Sequence, residues 1–348
     1  MTSTDNSPSS ICVLRLSAIG DVCHAVSAVQ AIQQKWPKAE ITWVIGKIEA
    51  SLLANLEGVE LIVFDKKAGL KGYQELYQRL KNRQFDVLLH MQVALRASLA
   101  TLCIKAKEKW GFDRLRAKEG QWLFTNRKIS PQQHPHVVDG FWGFVQAIGV
   151  EKNLVPKWRM PIAQQDIDWC QAKINCNKYI VISPAASKAE RNWTTTGYAA
   201  VAEYAKRHQL SVVLSGGPTQ METELGHQIE SLSNATVINM IGKTNLPQLL
   251  ALLKGAELVV APDSGPAHMA SSVNTPVVGL YAHSNPQRTG PYNSQAHVVS
   301  IYSDLLFQKT GKTVEQNRWG KRLKGENLMQ QISIGSVLKA LDQIILEN

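Results

Sequence analysis

The residues with the clearest chemical potential sit where short apolar runs give way to small and polar ones. Residues 259–261 form such a run, followed by Pro262, Asp263, Ser264, Gly265, Pro266, Ala267 and His268. Proline suits a helix's first turn, where no donor is needed, and the N–H groups exposed beside it can hold an anion. This reads as a strand leading into an anion-binding helix start, suited to a diphosphate, with His268 just inside it as a ligand contact. A comparable step near the N-terminus, Arg15-Leu16-Ser17-Ala18-Ile19-Gly20-Asp21-Val22, follows the apolar run 11–14. Gly20 permits close backbone approach. Asp21 is either a helix N-cap or a base that takes a proton from a substrate hydroxyl. His24, one turn past Gly20, reads at least as readily as a structural histidine as a substrate contact.

A second group of junctions offers contacts to a nucleotide. In the loop 183–193, the Arg191 guanidinium has the geometry to bridge two phosphoryl oxygens, and Lys188 supplies a more mobile point charge. Gly216 and Gly217 let a flat ligand lie close, and Glu222 or Glu224 can accept from a sugar hydroxyl or base amine, or can simply favour a helix N-terminus. Gly242-Lys243-Thr244 repeats the pattern, with Lys243 divided evenly between ligand contact and plain capping. No three-glycine dinucleotide fingerprint and no GxxxxGK[ST] segment is present, which argues against dehydrogenase and P-loop chemistry. Neither His24 nor His268 has the HExxH, Cys/His or facial-carboxylate company of a metal centre, so no built-in metal is expected.

The elements that must hold these loops follow from periodicity. Apolar runs at 11–14, 41–45, 59–64 and 87–91 read as strands, alternating with helical patterns from Val22 to Trp36, at 50–56 and at 73–80. After a polar bridge at 162–177 the unit repeats, with strands at 179–183, 211–215, 237–240, 258–261 and 277–281 and helices at 196–208, 221–232 and 246–254. Such alternation predicts an α/β fold with mostly parallel sheets covered by helices on both faces. The expected domains are 11–165 and 175–325. The sequence turns basic and irregular after Tyr302, and a terminal helix at 328–345 could pack back on the first domain or stay with the second.

Composition bounds the rest. In 348 residues, 38 Lys and Arg against 28 Asp and Glu leave a formal charge of +10, with clusters at 105–118 and 309–324. The balance favours anionic partners, but no aromatic-basic recognition motif accompanies it, so nucleic acid is not expected. Five scattered cysteines read as reduced thiols. Residues 1–10 lack the basic head and apolar body of a secretory signal, and no run reaches the roughly 18 apolar residues of a membrane span. Cytoplasmic placement is therefore expected.

Taken in order, the 15–22 segment, Arg191-Asn192-Trp193, Ser215-Gly216-Gly217-Pro218, Ile241-Gly242-Lys243 and Asp263–His268 resemble the ADP-heptose:lipopolysaccharide heptosyltransferases, bacterial inverting glycosyltransferases. The resemblance spans about residues 11 to 290. It implies a GT-B type fold of two facing Rossmann-like domains, with the first binding acceptor and the second binding ADP-heptose as donor substrate. It further implies Asp21 as the catalytic base and the diphosphate leaving group held by Asp263, Ser264–His268 and Arg191, where several members carry lysine. The acceptor would be the anionic inner core of lipopolysaccharide on lipid A, reached through peripheral contact with the inner face of the inner membrane. A nucleotide-sugar epimerase of similar architecture and an anionic-lipid-binding protein are the alternatives.

Overall fold

The computed structural model describes residues 7–347, and the chain divides into two units, Met1–Pro161 and Ile162–Asn348. Residues 1–6 of the polar N-terminal stretch lie outside the described residues.

In the first unit β1 (Ser10–Leu14) leads into α1 (Ile19–Lys35), followed by β2 (Glu40–Gly46), α2 (Lys47–Leu52), β3 (Val59–Phe64), α3 (Leu70–Leu80) and β4 (Phe85–His90). Then come α4 (Leu95–Ala100), β5 (Ala106–Gly111), β6 (Arg127–Lys128) and α5 (Val137–Ala147). All six strands are parallel, in the order β3-β2-β1-β4-β5-β6. Parallel strands are covered on both faces, and Ile11, Cys12, Val13 and Leu14 of β1 are fully buried accordingly. α1 is buried from Val22 to Ile32. Its Ser27 hydroxyl accepts from Trp142 Nε1 of α5 at 3.0 Å, and its Cys23 carbonyl accepts from Trp158 Nε1 at 2.8 Å. The chain steps outward from β1 to β3 and then returns to pair β4 with β1. Between β1 and β4 the strand order therefore reverses, and a crevice is expected beyond their carboxyl ends.

The second unit repeats this plan. α6 (Gln164–Ile174) precedes β7 (Tyr179–Ile182), α7 (Thr195–Arg207), β8 (Ser211–Leu214), α8 (Gln220–Leu232), β9 (Val237–Asn239), α9 (Leu246–Lys254) and β10 (Leu258–Pro262). α10 (Gly265–Ser272), β11 (Val277–Tyr281), α11 (Pro286–Thr289), β12 (Val299–Ser300), α12 (Tyr302–Thr310) and α13 (Ile334–Glu347) follow. The parallel order β12-β11-β10-β7-β8-β9 places the reversal between β7 and β10.

Several elements depart from the sequence expectation. The break falls after Pro161, and the polar bridge at 162–177 contains α6, whose buried apolar contribution is only Cys170 and Ile174, too few to set a period. β5 escaped notice because it carries Lys107 and Lys109 near the sheet's edge. Lys107 pairs with Asp86 at 2.7 Å, and Lys109 donates to the Thr101 carbonyl at 3.1 Å, so part of the first basic cluster is spent on holding this unit together. The stretch after Tyr302 is not irregular at once: α12 buries Tyr302, Leu305 and Leu306. The terminal helix, for which the sequence left both domains open, packs within the second unit. α13 belongs to the second unit, where Val337, Leu341 and Ile344 join its core, Tyr204 of α7 donates to Asp342, and Trp193 Nε1 donates to the Ile332 carbonyl at 3.0 Å.

Candidate functional site

Asp21 stands at the first unit's strand-order reversal, in the first turn of α1. The N-cap is Ala18, not Asp21. The Asp21 carboxylate accepts the Ala18 N–H at 3.4 Å and pairs with Arg15, both through Oδ2. Its side chain is 33% exposed, whereas that of Arg15 is only 11% exposed. Burial pulls the Arg15 guanidinium below its usual value and the charge of Asp21 opposes this. Arg15 also donates to the Met91 carbonyl at 2.7 Å and lies 5.2 Å from the Phe141 ring centre, so the cation is fixed and the carboxylate is aimed by it. The loop is seated just as firmly: Leu16 N–H donates to Gln92 Oε1 at 2.7 Å and Gly46 N–H to the Leu16 carbonyl at 3.1 Å. A methyl added at Gly46 would fall on that carbonyl oxygen, so the close approach requires glycine there. A cleft of about 360 Å³ opens beside the loop, lined by Ser17, Lys66, Gln92, Arg96 and Glu119 among others. Asp21 does not line this cleft; Ala18, which it holds, adjoins the cleft residue Ser17. His24 is buried in the same unit, edge-on to His136 at 5.6 Å, in keeping with a structural role.

At the reversal in the second unit the loops after β7 and β10 come together. Asp263 accepts from the Ser284 hydroxyl at 2.6 Å and lies 3.6 Å from His268 Nε2. Burial acts to raise the Asp263 carboxyl, but His268, Ser284 and the charge of Arg191 outweigh it and hold the group below its ordinary value. Arg191 thus acts electrostatically on Asp263 and, with it, on the buried Tyr281. α10 begins with N-cap Ser264 and has Pro266 in its first turn, no acidic residue there, and no side-chain cap. The Ser264 hydroxyl is buried and has no hydrogen-bond partner among the described residues. A helix start left this way presents orphan N–H groups and a partial positive charge.

The remaining junctions are laced to one another. Ala186 N–H donates to Asn192 Oδ1 at 2.8 Å and Asn192 Nδ2 reaches Met221 Sδ at 3.4 Å, which ties the Arg191 loop to the start of α8. Glu222 accepts from Gly217 N–H at 2.9 Å and from the Thr219 hydroxyl at 2.6 Å, while Gly242 N–H donates to the Gly216 carbonyl at 2.9 Å. Glu222 therefore shapes the glycine turn. Glu224 accepts instead from Gln220 Nε2 at 2.7 Å on the exposed side of α8. Lys243 donates to the Asn239 carbonyl at 2.7 Å, and Lys188 is exposed before the short turn that carries Arg191. Among the described residues no group of three or more His, Cys, Asp or Glu is placed to hold a metal ion, and no helix is long and apolar enough to cross a membrane.

The sequence matches the profile of glycosyltransferase family 9 (heptosyltransferase) over residues 73–318. It is also 47% identical over 338 residues to the lipopolysaccharide core heptosyltransferase OpsX of Haemophilus influenzae, covering 97% of each chain. The chain belongs to glycosyltransferase family 9. Among solved structures, the family 9 glycosyltransferase of Veillonella parvula superposes with a TM-score of 0.81 at 22% identity, over 98% of both chains. The Escherichia coli ADP-heptose lipopolysaccharide heptosyltransferase II does so with a TM-score of 0.73 at 20% identity, over 97% of this chain and 99% of that one. At those identities the likeness is one of fold, and that fold is the GT-B type expected from the motifs.

In this family 9 chain, sequence reasoning overlooked Ser284, the partner of Asp263, and the cleft residues Lys66, Gln92, Arg96 and Glu119. A usable signal existed for Ser284: it follows β11, and residues just past a strand's carboxyl end are where open α/β sheets place ligands. Lys66 and Gln92 follow β3 and β4 in the same way. Glu119 had no such signal, because β5 itself went unseen.

Proposed function

We propose that this protein is an inverting glycosyltransferase that moves heptose from ADP-L-glycero-D-manno-heptose to the inner core of lipopolysaccharide. The observation that carries this reading is the contrast between two helix starts. α1 satisfies its own N-terminus with Asp21, while α10, beside Arg191, has no acid of its own and so suits the anion of a ligand. A relationship at 47% identity over 97% of each chain to a lipopolysaccharide core heptosyltransferase supports the substrate class, as does the likeness in fold to the E. coli ADP-heptose lipopolysaccharide heptosyltransferase II.

In this mechanism the acceptor hydroxyl gives its proton to Asp21 as its oxygen attacks the anomeric carbon from the face opposite ADP. Arg191 and the N–H groups of Ser264 to Ala267 stabilise the charge gathering on the departing diphosphate. Asp263 and His268 order that end, Gly216, Gly217 and Glu222 form the nucleoside edge, and Lys188 and Lys243 add outlying positive charge. One displacement inverts the anomeric centre without a covalent intermediate, and the cationic loop and helix start do the work that a divalent ion does elsewhere. The acceptor is anchored on lipid A, so the protein acts in the cytoplasm against the inner face of the inner membrane.

The decisive test is a panel of nucleotide sugars offered with inner-core acceptors, with the linkage of each product determined. ADP-heptose should give an inverted heptosyl product only when acceptor is present. Interconversion of the donor without acceptor would establish the epimerase instead, and exclusive use of another nucleotide sugar would overturn the donor assignment.

A further inference from the structure

Six large apolar side chains stand exposed in one part of the first unit: Leu95, Leu99, Leu102, Leu115, Trp122 and Leu123. The last four are 68%, 84%, 61% and 76% exposed. Spacings of four and three put Leu95, Leu99 and Leu102 on one side of α4 and the turn after it, while Ala97, Ser98 and Ala100 face inward. The loop with Trp122 and Leu123 is tied to the same place. Leu95 N–H donates to Glu119 Oε2 at 2.6 Å, and Gln121 Nε2 donates to the carbonyls of His90 and Gln92 at 2.9 and 3.2 Å. Isolated exposed leucines need no explanation, but a gathering of this kind marks an interaction surface.

Its charge indicates the partner. Arg96, Arg114, Lys118 and Lys128 are exposed in the same segment, where the exposed acids are Glu119 and a 40% exposed Glu108 side chain that pairs with Arg127 at 3.3 Å. A second copy of the chain would set this basic face against itself, and protein interfaces are poor in lysine. Apolar side chains and an indole rimmed by arginine and lysine suit the headgroup boundary of an anionic bilayer. We propose that this face lies on an anionic phospholipid surface, with Leu102, Trp122 and Leu123 entering the boundary and Arg114 and Lys128 meeting lipid phosphates. The inference rests on the proposed function for its purpose: Leu95 and Glu119 also line the cleft beside Ser17, so docking would bring that cleft to a lipid-anchored sugar.

The test is co-sedimentation of the full chain with vesicles of phosphatidylethanolamine and phosphatidylglycerol, compared with phosphatidylcholine alone, alongside transfer to a delipidated core acceptor. The wild type should bind the anionic vesicles in a salt-sensitive way. The variant Leu102→Ser, Trp122→Ser, Leu123→Ser should bind at least about tenfold more weakly while transferring to the soluble acceptor at the wild-type rate. Should that variant fold poorly, Arg114→Glu with Lys128→Glu, both on the surface, should show the same loss. Absence of wild-type binding, undiminished binding by a folded variant, or a dimer that depends on these residues in place of vesicle binding would each overturn the proposal. Vesicle binding without sugar transfer would instead remove the functional reading and leave this surface standing.

Discussion

The two units share a strand order yet treat the helix after a central strand in opposite ways. In the first, α1 opens with Asp21 folded back onto Ala18 and locked by Arg15, so the helix's positive end is answered from within. In the second, α10 opens on Ser264, Gly265 and Pro266 with no acid in its first turn, while Arg191 adds positive charge nearby. One topology thus holds an arginine-paired carboxylate at one reversal and a helix start without an acid at the other, and the difference lies in a few side chains per loop. Backbone order selects where chemistry is done, and local sequence selects its sign.

Removing the carboxylate is the harshest way to probe this contrast. Asp21→Asn should lower kcat by about 10²–10⁴-fold, with ADP-sugar affinity largely kept. Retained turnover would reject Asp21 as the base, and a loss confined to thermal stability would leave it only as the partner of Arg15. On the opposite side, Arg191→Ala should reduce kcat/KM by roughly 10–10²-fold, as expected for one charge-assisted contact, with Arg191→Lys recovering part of it. Unchanged kinetics in both variants would remove Arg191 from the donor end.

Gly46→Ala tests the seating of the loop that leads to Asp21. The added methyl must displace the Leu16 carbonyl, which should cost about 1–3 kcal/mol of stability and lower kcat more than it alters donor binding. A variant with wild-type Tm would show that this approach is not tight.

The smallest effect separates the units by pH. His90, at the end of β4, is buried against the Ser98 hydroxyl at 3.0 Å, and burial, with Arg15 and Lys109 nearby, lowers its pKa to about 3 from an ordinary 6.5. Because the unfolded chain takes up that proton first, the stabilising contribution is complete above 6.5 and falls toward pH 3 by about 1.4 kcal/mol per unit. Asp263 behaves differently, since its lowered pKa keeps its contribution intact until the pH drops below the ordinary carboxylate value of 3.8. Hydrogen exchange at pH 5.5 should therefore show loosening of the β1–β4 region before the β7–β10 region, and His90→Gln should flatten the difference. Equal loosening in both would assign the acid response elsewhere.

Much of this was legible in the chain itself because buried parallel strands are continuous apolar runs that need no context to be seen. The expected strand at 59–64 and the helix at 246–254 match β3 and α9, and the helix start at Gly265 was recognisable because proline suits a helix's first turn. β5 and α6 were not legible, since an edge-proximal strand and a helix with one thin buried stripe read as polar linkers. Nor was the split between Glu222 and Glu224. Two acids one turn-fraction apart look alike until the Gly217 N–H selects one of them.

By itself the sequence determined the α/β class, the repetition of the unit and the chemical type of each loop, because these depend on local periodicity and on what glycine, proline, aspartate and arginine can do. Tertiary structure decided which loops became neighbours: β4 beside β1, β10 beside β7, Ser284 under Asp263, and the Glu119 loop against the start of α4. Those pairings join residues far apart in the chain, and strand order is settled by the packing of the whole sheet, to which no short stretch of sequence has access.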